Sequence, residues 1–276
     1  MGVNSRELAR LAENVYDEGG APDGWIRESS RNGSDGFFGA VYQRRSDGLR
    51  CLALRGSDDW MDWVFANPQM LPMAVRDELV AYLESPQNLM VSPLGLLQGQ
   101  IISRFTGRLP QSQSRQALEM FHANREVSSS RSACTPAARP IEVVTGHSLG
   151  GALAASVGQQ TGTATITFNA PKVGLLAGAV PMTSAGIIHV NSHKDIVSTA
   201  TGAAGSLPVG EVITVSVAPW SSGGGRGRQL ARRLAAALPV TATAMSLSDF
   251  ISQLMHYHSM GPLIQAGAGD RYISLH

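Results

Sequence analysis

The sequence lacks the features that would place it in a membrane or on a nucleic acid. None of its apolar runs reaches the ~18 residues of a membrane-spanning helix. Charged residues make up only 16% of the 276 residues, and 22 basic against 21 acidic side chains leave a net charge of +1. Because nucleic-acid binding needs a surplus of positive charge, no nucleic-acid partner is expected.

The first 20 residues also lack the apolar h-region of a secretory signal. They show helical periodicity instead, with Leu8, Leu11 and Val15 on one face. We therefore expect a protein of the cytoplasm, or one exported by a secretion system that needs no cleaved signal.

Cysteine is scarce as well. Cys51 lies in an apolar, strand-like run, Cys134 lies in a polar segment, and neither has the spacing of a metal ligand or of a disulfide framework. Cys51 is expected to be a buried small hydrophobe. The pattern predicts a chain that needs neither a metal nor another cofactor and that suits a reducing compartment.

What the sequence does contain is a sharp corner, "VVTGHSLGGALAA", at residues 143–155. The β-branched pair before it favours a strand, and the alanines and leucines after it favour a helix. Ser148 lies at the turn between them, and Gly146 and Gly150 leave room for strand and helix to pack closely. This is the G-x-S-x-G pattern of a nucleophile elbow, and its context of strand and helix fits.

The helix after the corner points its free amides at the serine, so the amide of Leu149 is a candidate oxyanion donor. A second donor should follow an earlier strand. In "LALRGSDDWMDW" the strand ends near Leu54, and Gly56 allows a close backbone approach. Ser57 can then offer both its amide and its hydroxyl.

A serine needs a base, and the base needs an acid. After such a corner the acid comes first along the chain and the histidine second. Asp195 follows an apolar strand and is the best acid; the others downstream are Glu211, Asp249 and Asp270. For the base, physical argument leaves two candidates in "LMHYHSM" open, His256 and His258, since only one of them can face the serine.

The remaining elements alternate between strand and helix, which predicts an α/β fold with a mostly parallel central sheet flanked by helices. We expect one domain, 1–276. Segments at about 85–135 and 219–247 are either a lid or cap, or connections folded against the body. The pattern predicts a hairpin over 37–43 and 49–54, helices over 74–84 and 111–126, and strands over 163–169, 186–192 and 212–217.

Four blocks of the sequence resemble the class 3 (fungal-type, triacylglycerol-lipase-like) family of α/β-hydrolases: "LALRGSDDWMDW", "VVTGHSLGGALA", "ITFNAPKVG" and "HVNSHKDIVS". The resemblance implies an α/β-hydrolase fold, with Ser148 as nucleophile, Asp195 as acid and Ser57 as oxyanion donor. It favours His258 as base, because Ser-Met follows it as in similar bacterial members. Asn169 departs from the family, which usually has glycine there.

The resemblance implies a lipase, a serine hydrolase that cleaves carboxylic esters of lipids at an interface. A phospholipase A1 would use the same machinery, and the basic stretch 226–233 favours transient contact with an anionic membrane surface. Some similar bacterial members are secreted antibacterial effectors, which would imply an immunity protein as partner. A peptidase or feruloyl-type esterase, or an inactive hydrolase fold that only binds, are the other hypotheses.

Overall fold

The computed structural model of the protein describes residues 2–17, 20–33, 36–56, 111–126, 139–171, 186–193, 195, 198, 210–219, 256–269 and 272–274. The predicted helix over 74–84, the segment 220–247 and Cys134 lie outside these residues. So does the predicted segment 85–135 apart from one helix within it.

A seven-stranded sheet forms the centre of the described residues, and its strands lie side by side in chain order. Its first three strands are antiparallel neighbours, and the last five run parallel. They are β2 (Trp25–Asn32), β3 (Phe38–Arg44), β4 (Arg50–Leu54), β5 (Val143–His147), β6 (Ala164–Phe168), β7 (Ile187–Ser192) and β8 (Glu211–Val215). The predicted hairpin and the three later strands are confirmed, and so is the mostly parallel sheet.

Two short strands, β1 (Gly2–Asn4) and β9 (Tyr272–Ser274), pair antiparallel in a separate small sheet. Neither was predicted from the sequence. Their pairing joins the segment before the first helix to the segment that follows the last one.

Four helices flank the sheet among the described residues: α1 (Ser5–Asn14), α2 (Gln111–Glu126), α3 (Leu149–Thr161) and α4 (Met260–Gln265). Helix α1 begins with a capping box, in which the Asn4 side chain accepts from the backbone of the first turn and Glu7 returns to the Asn4 amide. Leu8, Leu11 and Val15 are fully buried, which confirms the predicted apolar face. Helix α2 matches the predicted helix over 111–126.

Both faces of the sheet are covered, because alternate residues of a strand point to opposite sides. Cys51 and Val143 pack on one side with α1 and α4. Leu52 and Val144 pack on the other side with α2 and α3. Cys51 is buried as predicted, and burial raises the pKa of its thiol, so this cysteine is a packing residue and not a nucleophile.

An ion pair made by a buried arginine ties the start of β4 to the edge strand β2. The Arg50 Nε lies 2.7 Å from a carboxylate oxygen of Glu28, with the arginine side chain 4% exposed. Arg50 also donates from Nη1 to the backbone carbonyl of Asn124 in α2, at 3.0 Å. Arg50 is the first residue of its strand, so this ion pair lies at the amino-terminal end of β4, opposite to the carboxyl ends of the parallel strands.

None of the helices in the described part of the chain is long and apolar enough to cross a membrane.

Candidate active site

Ser148 lies at the corner between β5 and α3, where the backbone is strained. Its φ of 56° and ψ of −131° belong to a region that residues with a Cβ seldom adopt. The Ser148 amide donates to the carbonyl of Phe168 on the neighbouring strand, at 3.0 Å, and its carbonyl accepts from Gly151 at 2.9 Å. Neighbouring strand and following helix thus hold the strained residue in place.

The two glycines of the corner are required by close packing of backbone on backbone. A Cβ on Gly146 would collide with the carbonyl group of Gly150. A Cβ on Gly150 would collide with the carbonyl oxygen of Leu54 at the end of β4. The start of α3 therefore lies directly against the ends of β5 and β4, as the sequence pattern predicts.

The structure brings Ser148, His258 and Asp195 together in one hydrogen-bonded row. The Ser148 hydroxyl donates to Nε2 of His258 at 3.0 Å, and Nδ1 of His258 donates to Oδ1 of Asp195 at 2.7 Å. The acid can only accept at this bond, which fixes the neutral ring as the Nδ1–H tautomer. All three residues are buried, with exposures of 4%, 3% and 0% respectively.

The second carboxylate oxygen of Asp195 is also satisfied. Oδ2 accepts from the backbone amide of Ser198 at 2.8 Å, and the Asp195 amide donates to the carbonyl of Ser192, the last residue of β7, at 3.0 Å. A buried carboxylate with a partner on each oxygen is held in one orientation.

The other candidates fall elsewhere. His256, which the sequence left open as the base, bonds through Nε2 to the carbonyl of Ala218 at 2.8 Å. A further histidine, His189 in β7, bonds to the Thr167 hydroxyl inside the sheet. Glu211 begins β8, at the end of the parallel strands away from the corner. Asp249 and Asp270 lie outside the described residues.

A second histidine, His147, lies behind the row and was not singled out from the sequence. Its Nε2–H donates to the backbone carbonyl of His258 at 2.8 Å, and its Nδ1 accepts from the hydroxyl of Tyr16 at 3.3 Å. Burial, aided by the nearby His258 ring, lowers the pKa of His147 from 6.5 to about 3. The ring is therefore neutral at physiological pH and works as a fixed hydrogen-bond donor.

Tyr16 connects this ring to the loop that leads to the predicted oxyanion donor. The amide of Gly56 donates to the Tyr16 hydroxyl at 3.0 Å. Ser57, the predicted donor, lies outside the described residues. Leu149, the other predicted donor, is the first residue of α3, where backbone amides have no partner within the helix.

No group of three or more histidine, cysteine, aspartate or glutamate side chains stands ready for a metal within the described ranges. The sheet order, the strained serine at the end of a central parallel strand and the covering helices define an α/β-hydrolase fold.

No family model and no curated protein matches the sequence. Solved structures of lipases have a similar chain course. Lip2 lipase from Yarrowia lipolytica is 13% identical at a TM-score of 0.45, with 77% of each chain covered. A deletion mutant of Rhizomucor miehei lipase in a propeptide complex is 19% identical at a TM-score of 0.43, with 77% of this chain and 64% of that chain covered. A crystal structure described as fungal lipases is 13% identical at a TM-score of 0.40, with 80% of each chain covered.

Proposed function

We propose that this protein is a serine hydrolase that cleaves carboxylic esters of lipids. The observation that carries the proposal is the continuous row of hydrogen bonds from the Ser148 hydroxyl through the His258 ring to Asp195. A hydroxyl is a weak nucleophile by itself, and a base at hydrogen-bond distance with an acid behind it is the arrangement that activates it.

In the proposed reaction, the Ser148 oxygen bonds to the acyl carbon while its proton passes to Nε2 of His258. Asp195 stabilises the imidazolium that forms. When the tetrahedral intermediate collapses, the ester C–O bond breaks and the leaving alcohol takes the proton from His258. Water then attacks the acyl-enzyme, gives a proton to the same nitrogen, and the carboxylic acid leaves as Ser148 recovers its hydrogen.

The oxyanion of each tetrahedral intermediate is proposed to be held by the amide of Leu149 and by the amide and hydroxyl of Ser57. Removing one such donor typically costs ~3 to 4 kcal/mol of transition-state stabilisation. The bond from Gly56 to Tyr16 supports this assignment, because it holds the Arg55–Gly56 peptide, one peptide before the Ser57 amide, close to His147 and Gly150.

The choice of lipid esters rests on the four sequence blocks that resemble class 3 lipases. A phospholipase A1 would use the same residues, so the substrate has to be measured. The assay compares fatty-acid release from mixed micelles of triacylglycerol, phosphatidylethanolamine and phosphatidylglycerol, for wild type and for Ser148→Ala. Release from triacylglycerol that the variant loses supports a lipase, and release from phospholipid supports a phospholipase.

Labelling with a fluorophosphonate distinguishes an active hydrolase from an inactive fold that only binds lipid, because the reagent reacts only with an activated serine. We expect labelling of the wild type and none of Ser148→Ala. An unlabelled wild type, or a Ser148→Ala variant that still hydrolyses esters, would remove the proposed chemistry.

A further inference from the structure

Asn169 occupies a position that ordinary side chains avoid. It follows β6, is fully buried, and has a φ of 46°, in the left-handed region. Asparagine enters this region more readily than most residues with a Cβ. Its amide donates to the carbonyl of Val190 in the next strand, at 3.0 Å, so its backbone is held firmly.

The Asn169 carboxamide contacts both segments that carry the partners of Ser148. Nδ2 donates to the carbonyl of His258 at 2.8 Å and approaches the carbonyl of Tyr257 at 3.2 Å. Oδ1 accepts from the amide of Ser192 at 2.8 Å. The orientation of the carboxamide is fixed, because the carbonyls can only accept and the Ser192 amide can only donate.

The segments it joins are distant along the chain. Ser192 ends β7, and its carbonyl accepts the amide of Asp195. His258 lies just before α4, 89 residues after Asn169, whereas Ser192 lies 23 residues after it. A single buried side chain therefore spans the turn that carries the acid and the turn that carries the base.

The carbonyl of His258 is fully used. It accepts from Asn169 Nδ2 and from His147 Nε2, both at 2.8 Å. A carbonyl oxygen has two lone pairs, so these two side chains satisfy it from different directions. Two side chains thus fix the backbone of His258, whose ring bonds Ser148 and Asp195.

We propose that Asn169 is a positioning residue, which sets the His258 ring against Ser148 and Asp195 by joining their two backbone segments. The proposal rests on the proposed hydrolase function. Displacing a reacting group by about 1 Å can cost about a hundredfold in rate, so a clamp on the backbone of the base should be visible in turnover and less so in substrate binding.

Two variants separate the contacts. Asn169→Asp keeps the shape and the acceptor for Ser192 but turns the donor toward His258 into a carboxylate oxygen. Asn169→Gly suits the positive φ and removes every side-chain contact. Asn124→Asp is the matched control, since that side chain also donates to a backbone carbonyl, that of Met120 within α2, at 2.8 Å.

With a soluble short-chain ester, we expect Asn169→Asp to lower kcat and the rate of fluorophosphonate labelling about tenfold to a hundredfold, with KM within about threefold. Asn169→Gly should lose less, because no carboxylate opposes the His258 carbonyl, and the control should match wild type. If Asn169→Asp fails to fold, as circular dichroism would show, Asn169→Gly alone decides. Unchanged kcat and labelling in a folded Asn169 variant would overturn the proposal.

A second readout does not depend on activity. The His258 Nδ1 proton bonded to Asp195 should give a low-field proton resonance, absent in His258→Gln. We expect this resonance to be lost or broadened in both Asn169 variants and retained in Asn124→Asp. If the wild type shows the resonance but is not labelled and does not hydrolyse esters, the hydrolase function is refuted. The positioning role is then decided by the resonance alone. An unchanged resonance in both Asn169 variants would refute the positioning role.

Discussion

The depressed pKa of His147 predicts that the folded protein loses stability at acid pH. The ring is buried and neutral, with a pKa of about 3 against 6.5 in an exposed histidine. At pH values between these two pKa values, this histidine binds a proton in the unfolded chain and not in the folded protein. The contribution of the neutral His147 ring to the free energy of unfolding is therefore fully present above pH 6.5. It is lost as the pH falls, because the unfolded state binds more protons.

The size of the effect follows from the same values. Each pH unit below 6.5 costs ~1.4 kcal/mol until the folded ring also protonates. At pH 5 the loss attributable to His147 is about 2 kcal/mol relative to pH 7 or above. The substitution His147→Gln removes this loss, since a carboxamide can still donate to the His258 carbonyl but does not titrate.

The assay is urea unfolding of wild type and His147→Gln at pH 7 and pH 5. Other titrating groups are common to both proteins, so the difference between the two pH-dependent losses isolates His147. The centroid of the His258 ring lies only 4.8 Å from that of His147, so the two rings influence each other. The comparison of His147 with His147→Gln is therefore repeated in a His258→Gln background. We expect wild type to lose about 2 kcal/mol more than the variant. An equal loss in both proteins would refute the claim that His147 is held neutral by burial.

Three further substitutions test the base, the corner at Ser148 and the ion pair of Arg50. His258→Ala should lower kcat for ester hydrolysis about a thousandfold or more, while His256→Ala should stay within about threefold; the reverse would make His256 the base. Gly150→Ala should cost at least ~2 kcal/mol in urea unfolding, because its Cβ meets backbone, and unchanged stability would contradict the close approach of α3 to β4. Arg50→Met should cost about 2 to 3 kcal/mol, because it removes a buried guanidinium together with its bonds to Glu28 and to the carbonyl of Asn124. Arg31→Met, which breaks an exposed pair, should cost much less than Arg50→Met, and equal costs would contradict the difference in burial.

The corner at Ser148 could be predicted because everything it needs is local. The strand, the turn and the start of the helix lie within one short stretch, and glycine spacing reports the close packing. The choice between His256 and His258 could not be made in this way. Both lie in one helical turn, where a step of two residues turns a side chain by about 200°, and only the return path of the chain decides which ring faces Ser148.

The contacts behind the site were missed for a related reason. Tyr16, His147 and Asn169 act through partners that are about 40 to 130 residues away, and no local pattern reports such pairs. A signal was present at Asn169, where the family that the sequence resembles usually has glycine. A residue that replaces glycine must tolerate a positive φ, and a polar one can add contacts that glycine cannot.

Strand β2 was missed because it carries almost no hydrophobic alternation. Its side chains that turn inward include Arg27, Ser29 and Arg31, and Ile26 on the other side is 38% exposed. Edge strands are recognised by their neighbours more than by their own sequence, and Arg27 lies over the Tyr42 ring of β3 at 5.5 Å. The interior strands, which are buried on both faces, were predicted correctly.

The pairing of β1 with β9 has a consequence for the growing polypeptide. Strand β1 cannot find its partner until β9 has left the ribosome, and His258, the proposed base, emerges about 110 residues after Ser148. A nascent chain therefore carries its serine without the proposed base while about 110 further residues are made. Contacts of such long separation also slow folding, so hydrolytic capacity should lag behind the appearance of full-length protein. Under the proposed function, that delay would spare the lipids of the cell during translation.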